Sequence, residues 1–270
     1  MGRLIGYVAN RPDRLRDALH QERAALDAGA RRADGWGLGF YQGGEVLHKK
    51  RPQLGDEPVD LVAIAGDVRT HCLVAHVREA TVGDFRAENT HPFRMRQWLF
   101  AHDGTIDRFA ALRARLVEQL PDFLQRNVRG DTDSEHLFHA VLSFLHDAGQ
   151  LDNPDVDERT VLPALRAAVA LVDRLVGEVG GRPSTLNCVL TNGRQLYALE
   201  RGRTFSFVER AGLHDTRNGD VSPRALQDAA TFRYVMVLSD AGPTPPGWSG
   251  IGEATVLVVD RNLGVARHPL

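Results

Sequence analysis

Four histidines and an aspartate, His71, His76, His91, His102 and Asp103, lie within a short stretch of the chain. Imidazole and carboxylate together are usual ligands of zinc and iron. No two of these histidines have the HxxxH or HExxH spacing that sets a pair of imidazoles on one helix face, so a metal reading rests on residue type alone. Asp34-Gly35-Trp36-Gly37-Leu38-Gly39 suggests a phosphate cradle, but it has neither a P-loop lysine nor a βαβ context. Glycines in a strand that another backbone approaches closely explain it better. The two thiols, Cys72 and Cys188, sit in apolar runs rather than in a CxxC pair, as buried free cysteines do. Two charged residues in distinctive segments remain, Arg78 and Asp133. Taken alone, Arg78 is placed to pair with Glu79 or Glu88, and Asp133 to complement a helix dipole.

Periodicity indicates what positions them. Leu4 to Ala9 is an apolar run of strand length, and Arg14 to Ala28 carries Leu15, Ala18, Leu19 and Leu26 at helical spacing before Gly29. Asp34 to Tyr41 predicts a strand that returns through Gly43-Gly44 as a hairpin with Glu45 to Lys50. Cys72 to Val77 and Gln97 to His102 are further apolar strands. The period then lengthens, and Arg108 to Gln119, Asp133 to Asp147 and Arg159 to Glu178 predict amphipathic helices. Asp131-Thr132-Asp133-Ser134-Glu135 supplies a cap and early acidic residues for the second of these, and Leu151 to Asp157 is a loop. Strands resume after Gly180-Gly181, at Ser184 to Thr191, Gln195 to Glu200, Tyr234 to Ser239 and Thr255 to Asp260. Strands, then helices, then strands predict sheets with helices packed outside them. In the stiff Ala241 to Trp248 segment, Trp248 is expected to cover the core rather than close over a site.

Six segments in this order are more specific than any one of them: Gly2-Arg3-Leu4-Ile5-Gly6-Tyr7, Asp34 to Tyr41, His76-Val77-Arg78-Glu79-Ala80-Thr81, Asn89-Thr90-His91-Pro92-Phe93, Phe100-Ala101-His102-Asp103-Gly104 and Thr132-Asp133-Ser134-Glu135. Together they resemble the class II glutamine amidotransferases, and most of all the small stand-alone members that include the ergothioneine-pathway hydrolases. The likeness is strong over about the first half of the chain and general beyond it. It implies an α+β fold, the four-layer α/β/β/α sandwich of the N-terminal nucleophile hydrolases, as a single domain over residues 1–270. In that family an N-terminal cysteine attacks the glutamine side-chain amide, with its own α-amine as base. The resemblance places that cysteine on Gly2, which has no side-chain atom to form a thioester. It assigns Arg78 to the substrate carboxylate and Asp133 to its ammonium group. Thr81 and the backbone from Arg78 lie along the site, Trp36 and Gly37 belong to the strand beside it, and His91 supports it. The oxyanion pair, usually Asn-Gly, is Asp103-Gly104 here. An ionised aspartate only accepts hydrogen bonds and repels a developing oxyanion.

The bulk properties agree with a single globular domain: 270 residues, 43% hydrophobic and 25% charged, with a net charge of -2. No basic field for nucleic acid is present, no run is long enough to cross a bilayer, and the start of the chain lacks a signal-peptide core, so the expected location is the cytoplasm. The resemblance implies no cofactor and no metal. It implies a pocket for glutamine or a γ-glutamyl small molecule, inactive toward glutamine without the cysteine, and a separate ammonia-accepting protein if ammonia were made. Two alternatives stand beside this: an active glutamine amidohydrolase or γ-glutamyl hydrolase whose cysteine was replaced by glycine, and a non-catalytic partner-binding subunit. Replacing the nucleophile alone would leave the oxyanion asparagine in place, so Asp103 beside Gly2 favours natural loss.

Overall fold

The structure is a computed structural model that describes residues 2–27, 33–52, 59–78, 86–213, 230–239 and 243–270. The chain opens with β1 (Arg3–Ala9), α1 (Leu15–Gln21) and α2 (Arg23–Asp27), and then the hairpin β2 (Gly35–Gln42) and β3 (Glu45–Arg51). Next come α3 (Leu61–Ile64), β4 (Cys72–Arg78), β5 (Phe93–Met95) and β6 (Trp98–Thr105), followed by a helical block of α4 (Phe109–Glu118), α5 (Asp122–Gln125), α6 (Asp133–Asp147) and α7 (Glu158–Glu178). The last part is β7 (Thr185–Thr191), β8 (Leu196–Glu200), β9 (Phe205–Ala211), β10 (Arg233–Ser239), β11 (Ser249–Gly250), β12 (Thr255–Val259) and β13 (Val265–Pro269).

Two antiparallel sheets carry these strands. One has seven strands in the order β11-β9-β10-β1-β4-β2-β3, the other six in the order β13-β12-β8-β7-β6-β5. Strand side chains alternate faces, and the apolar residues sort accordingly. On β1, Leu4 and Val8 join the cluster between the sheets, whereas Ile5, Tyr7 and Ala9 join the cluster shared with Leu15, Leu19 and Leu26 of α1 and α2. On β6, Leu99 and Ala101 face the other sheet, while Trp98 and Phe100 pack under α4 to α7 with Leu116, Phe138 and Leu165. The result is four layers, α/β/β/α.

The helix expected from Arg14 to Ala28 is broken. It separates into α1 and α2 at Glu22, whose carboxylate is buried and takes hydrogen bonds from Arg210, Tyr234 and Trp248. Tertiary contacts there outweigh helical continuity. Trp248 is 8% exposed and covers the outer core, as expected. The hairpin turns through Gly43 and Gly44, both at positive φ. Helix α6 begins at Thr132, whose Oγ1 accepts from the Glu135 N–H at 3.3 Å, and the Glu135 carboxylate reaches back to the N–H groups of Arg129 and Gly130. This fixes Asp133 in the first turn. No described helix is long and apolar enough to cross a membrane.

Candidate functional site

The same alternation that builds the inter-sheet core carries polar residues onto it at one end. Cys72 and Val74 of β4 face inward, so His76 and Arg78 continue that face. On β1, Leu4 faces inward, and so does Gly2. Leu99 and Ala101 lead in the same way to Asp103 on β6, and Val235 and Val237 to Ser239 on β10. Arg3 pairs with Val77, which sets Gly2 beside Arg78. An ionisable cluster thus replaces the apolar core at the edge of the sandwich.

Asp103 is 6% exposed. The Ser239 hydroxyl donates to its Oδ2 at 3.0 Å, and the same oxygen of Ser239 accepts the Leu4 N–H at 2.9 Å. The guanidinium of Arg203 stands 3.7 Å from Oδ1. Burial pushes the Asp103 carboxyl above its ordinary range, against the pull of Arg203 and the Ser239 bond. A Cβ on neighbouring Gly104 would collide with the Thr185 carbonyl and sit 2.6 Å from His102 Nε2, so close strand packing requires glycine there.

Asp133 is buried and accepts the N–H of Ile106 and of Ser134, each at 2.8 Å. Its carboxylate thus ties the helix start to the end of β6, the local role that a first-turn aspartate suggests. His102 Nε2 lies 3.1 Å from the Thr185 carbonyl and Nδ1 lies 2.9 Å from the Ser134 hydroxyl. With Nε2–H donating to the carbonyl, Nδ1 accepts from the hydroxyl. Acceptor capacity on Asp133 remains for a further donor, because an ionised carboxylate offers about four lone-pair positions.

Arg78 is buried. Burial pushes its guanidinium down while Asp34 pulls it back, and the Asp34 N–H donates to the Arg78 carbonyl at 2.7 Å. The rings of His76 and His91 lie 4.3 Å apart. Among the described residues, His76 Nδ1 and both ring nitrogens of His91 have no hydrogen-bond partner. Burial pushes His76 down to about 3 and His91 well below the usual imidazole range, so both rings are neutral at physiological pH. A Cβ on Gly37 would collide with the His91 carbonyl, which is why β2 needs glycine where this loop crosses it. Trp36 faces the other way, half-buried against the outer cluster. Thr81 falls outside the described residues.

At Gly2, a Cβ would collide with the Val77 carbonyl and stand 2.7 Å from His76 Nε2. Neither thiol faces this cluster, although Cys188 lies opposite His102 in the sheet. Cys72 starts β4 and Arg78 ends it, a separation of roughly 20 Å along an extended strand. Cys188 belongs to the helix-side cluster. Burial pushes both thiols up to about 12, far from a reactive thiolate. No group of three or more His, Cys, Asp or Glu among the described residues is gathered to hold a metal ion.

A sequence model described as glutamine amidotransferases class-II matches residues 1–222. The chain belongs to that family. It is 31% identical over 230 residues to the gamma-glutamyl-hercynylcysteine sulfoxide hydrolase of Mycobacterium tuberculosis, covering 80% of this chain and 84% of that protein. The protein of the same name from Mycolicibacterium smegmatis is 37% identical over 246 residues, covering 90% and 84%. The solved glutamine aminotransferase class-II domain protein from Silicibacter pomeroyi aligns with a TM-score of 0.62 at 20% identity, covering 99% of this chain and 98% of that one. That likeness concerns the fold, and the layers described above agree with it.

In this class II glutamine amidotransferase, Gly2, Arg78 and Asp103 lie toward the polar end of the inter-sheet layer, while Asp133 and Ser134 are tied to Ile106 and His102 at the end of β6. Sequence reasoning did not identify Ser239 and Arg203, the two partners of Asp103. The inward parity of Val235, Val237 and Ser239 was readable, but the placement of β10 next to β1 was not. Lys50 was also missed. It lies opposite Gly37 on β3 and donates to the Ala87 carbonyl at 3.3 Å, and burial pushes its ammonium down to about 8.

Proposed function

We propose that this class II glutamine amidotransferase holds glutamine or a γ-glutamyl compound without hydrolysing it. The observation that carries this reading is the closed position at Gly2, where the Val77 carbonyl and the His76 ring occupy the space that a nucleophilic side chain would need. Asp103 supports it, since the residue that the resemblance assigns to the oxyanion is a buried carboxylate that accepts the Ser239 hydroxyl. Losing one oxyanion donor costs about a hundred- to a thousand-fold in turnover, even before the loss of the thiol is counted. Arg78 takes the α-carboxylate and Asp133 the α-ammonium group, a pairing of charge that recognises a free α-amino end.

The test combines intact mass and calorimetry. Incubation with the glutamine-mimicking electrophile diazo-oxo-norleucine should leave the mass unchanged, and glutamine should release no ammonia above background. Glutamine and γ-glutamyl dipeptides should bind, and Arg78→Ala should abolish that binding. A stoichiometric adduct, or measurable ammonia release, overturns the non-hydrolysing reading. Failure of glutamine and γ-glutamyl peptides to bind at millimolar concentration overturns the pocket itself, in favour of a partner-binding role.

A further inference from the structure

Asp103 differs from a spent structural carboxylate in how its two oxygens are used. Oδ2 receives one hydroxyl hydrogen bond, from Ser239 at 3.0 Å. Oδ1 receives none among the described residues, and Arg203 Nη1 stands 3.7 Å away, beyond the roughly 2.7–2.9 Å of a charge-assisted hydrogen bond. The side chain is nevertheless 6% exposed, and a buried carboxylate with an unused oxygen strongly favours a donor.

Asp103 and Arg78 reach the inter-sheet layer from different sheets. Asp103 is tied to Ser239 on β10, while Arg78 lies on β4, and β1 runs between those two strands. Ser239 stands opposite Leu4 and Arg78 opposite Gly2 on that strand, so two strand spacings and a two-residue offset put their backbones roughly 12 Å apart. An amino acid whose α-carboxylate is held by Arg78 presents its distal group to the same inter-sheet layer that Asp103 faces. What its distal group must be then follows from acceptor chemistry. A carboxylate that can only accept hydrogen bonds welcomes an amine, tolerates an amide N–H and repels a second carboxylate.

We infer that Asp103 selects the distal group of the bound amino acid, ranking a short diamino acid above glutamine and γ-glutamyl amides, and these above glutamate. The inference rests on the amino-acid pocket proposed above and names the ligand class that it prefers. The incomplete compensation of Asp103 agrees with it, since its carboxyl stays above the ordinary range in spite of Arg203. His76, pushed down to about 3, is neutral and adds no charge against an ammonium group. Arg203 opposes the amine, but it is 18% exposed and is partly screened by solvent.

Calorimetry with L-2,4-diaminobutyrate, L-ornithine, L-norvaline, L-glutamine and L-glutamate tests this on the full chain. One of the two diamino acids should bind at least ten-fold more tightly than glutamine, norvaline should bind at least ten-fold more weakly than ornithine, and glutamate should be the weakest ligand. Asp103→Asn should reverse the order of amine and glutamine. Arg203→Gln should strengthen amine binding several-fold in the chain that keeps Asp103 and less in Asp103→Asn, a dependence that a merely structural Asp103 would not produce. Should glutamine bind in an Arg78-dependent way with neither diamino acid tighter, the selection by Asp103 falls and the pocket stands. If none of the five binds at millimolar concentration, both fall. If Asp103→Asn does not fold, the ranking in the unmodified protein and the Arg203→Gln shift decide.

Discussion

Strand β10 touches two buried carboxylates, one near each end, and the molecule treats them in opposite ways. Near Tyr234, Glu22 accepts both Nε and Nη2 of Arg210 at 2.7 and 3.1 Å, the Tyr234 hydroxyl at 2.8 Å and the Trp248 indole N–H at 3.1 Å. Although burial pushes its carboxyl up, these donors bring it below the ordinary range. At Ser239, Asp103 has one hydroxyl and a distant guanidinium, and burial prevails. A carboxylate that holds a fold together is saturated by its own chain. One left short of donors stores an unfavourable interaction that a ligand can relieve.

The largest effect should come from breaking the saturated end. Glu22→Ala removes the anion from a buried pair and leaves Arg210, Tyr234 and Trp248 without their acceptor, so unfolding in urea should show a loss of about 3–5 kcal/mol. A loss below about 1 kcal/mol would mean that Glu22 is not the anchor described.

Repair of the unsaturated end comes next. With Met1 removed so that residue 2 carries the α-amine, Gly2→Cys with Asp103→Asn should exceed Gly2→Cys alone in glutamine hydrolysis by about a hundred-fold or more, the worth of one oxyanion donor, and Asp103→Asn alone should hydrolyse nothing. The new Cβ must displace the Val77 carbonyl or the His76 ring, so Gly2→Cys should also lower stability. Ordinary amidotransferase rates from Gly2→Cys alone would show Asp103 to be harmless to catalysis.

Smaller and opposite in sign are the pH dependences. The folded pKa of Glu22 is depressed, so its stabilisation is present above the unfolded value of about 4.3 and is lost as the pH falls through the folded value. For Asp103 the folded pKa is raised, so its contribution is full below about 3.9 and is lost as the pH rises through the folded value. The stability of Asp103→Asn relative to the unmodified protein should therefore grow from acid toward neutral pH and then level off. A difference that shrinks over that range would contradict the unsaturated state. The smallest expected effect is none: iodoacetamide should leave Cys72 and Cys188 unlabelled in the folded protein, because both are buried with thiols pushed up to about 12.

Much of this architecture was legible because local pattern and final contacts agree. The six apolar residues of Leu4 to Ala9, the Gly43-Gly44 hairpin and the long helices from Asp133 and Glu158 carry their own periodicity and caps. Phe205–Ala211 was not assigned: its first four residues are buried without alternation and the rest are at least partly exposed. Val265–Pro269, an edge strand with three exposed residues, was missed for lack of an apolar face. The break at Glu22 depends on Arg210 and Trp248, far along the chain, and no local signal reports it. At the site, Arg78, Asp103 and Asp133 stood out through their segments, whereas Ser239 and Arg203 acquire meaning only from strand order.

The first strand lies in the interior of its sheet, between β4 and β10, and this sets the order in which the molecule can mature. Its backbone meets Ser239 across 235 positions of sequence, and Ser239 meets Asp103 across 136. Contacts so distant in sequence form slowly. During synthesis the early strands emerge first, and one edge of β1 stays unpaired until residues 233–239 leave the ribosome. The hairpin and the helical block can form early from nearby residues, while the polar cluster of Asp103, Ser239 and the first strand, which draws on both ends of the chain, closes last. A nascent chain stopped before Ser239 would own nearly all of its helices and lack the residue that joins the first strand to Asp103.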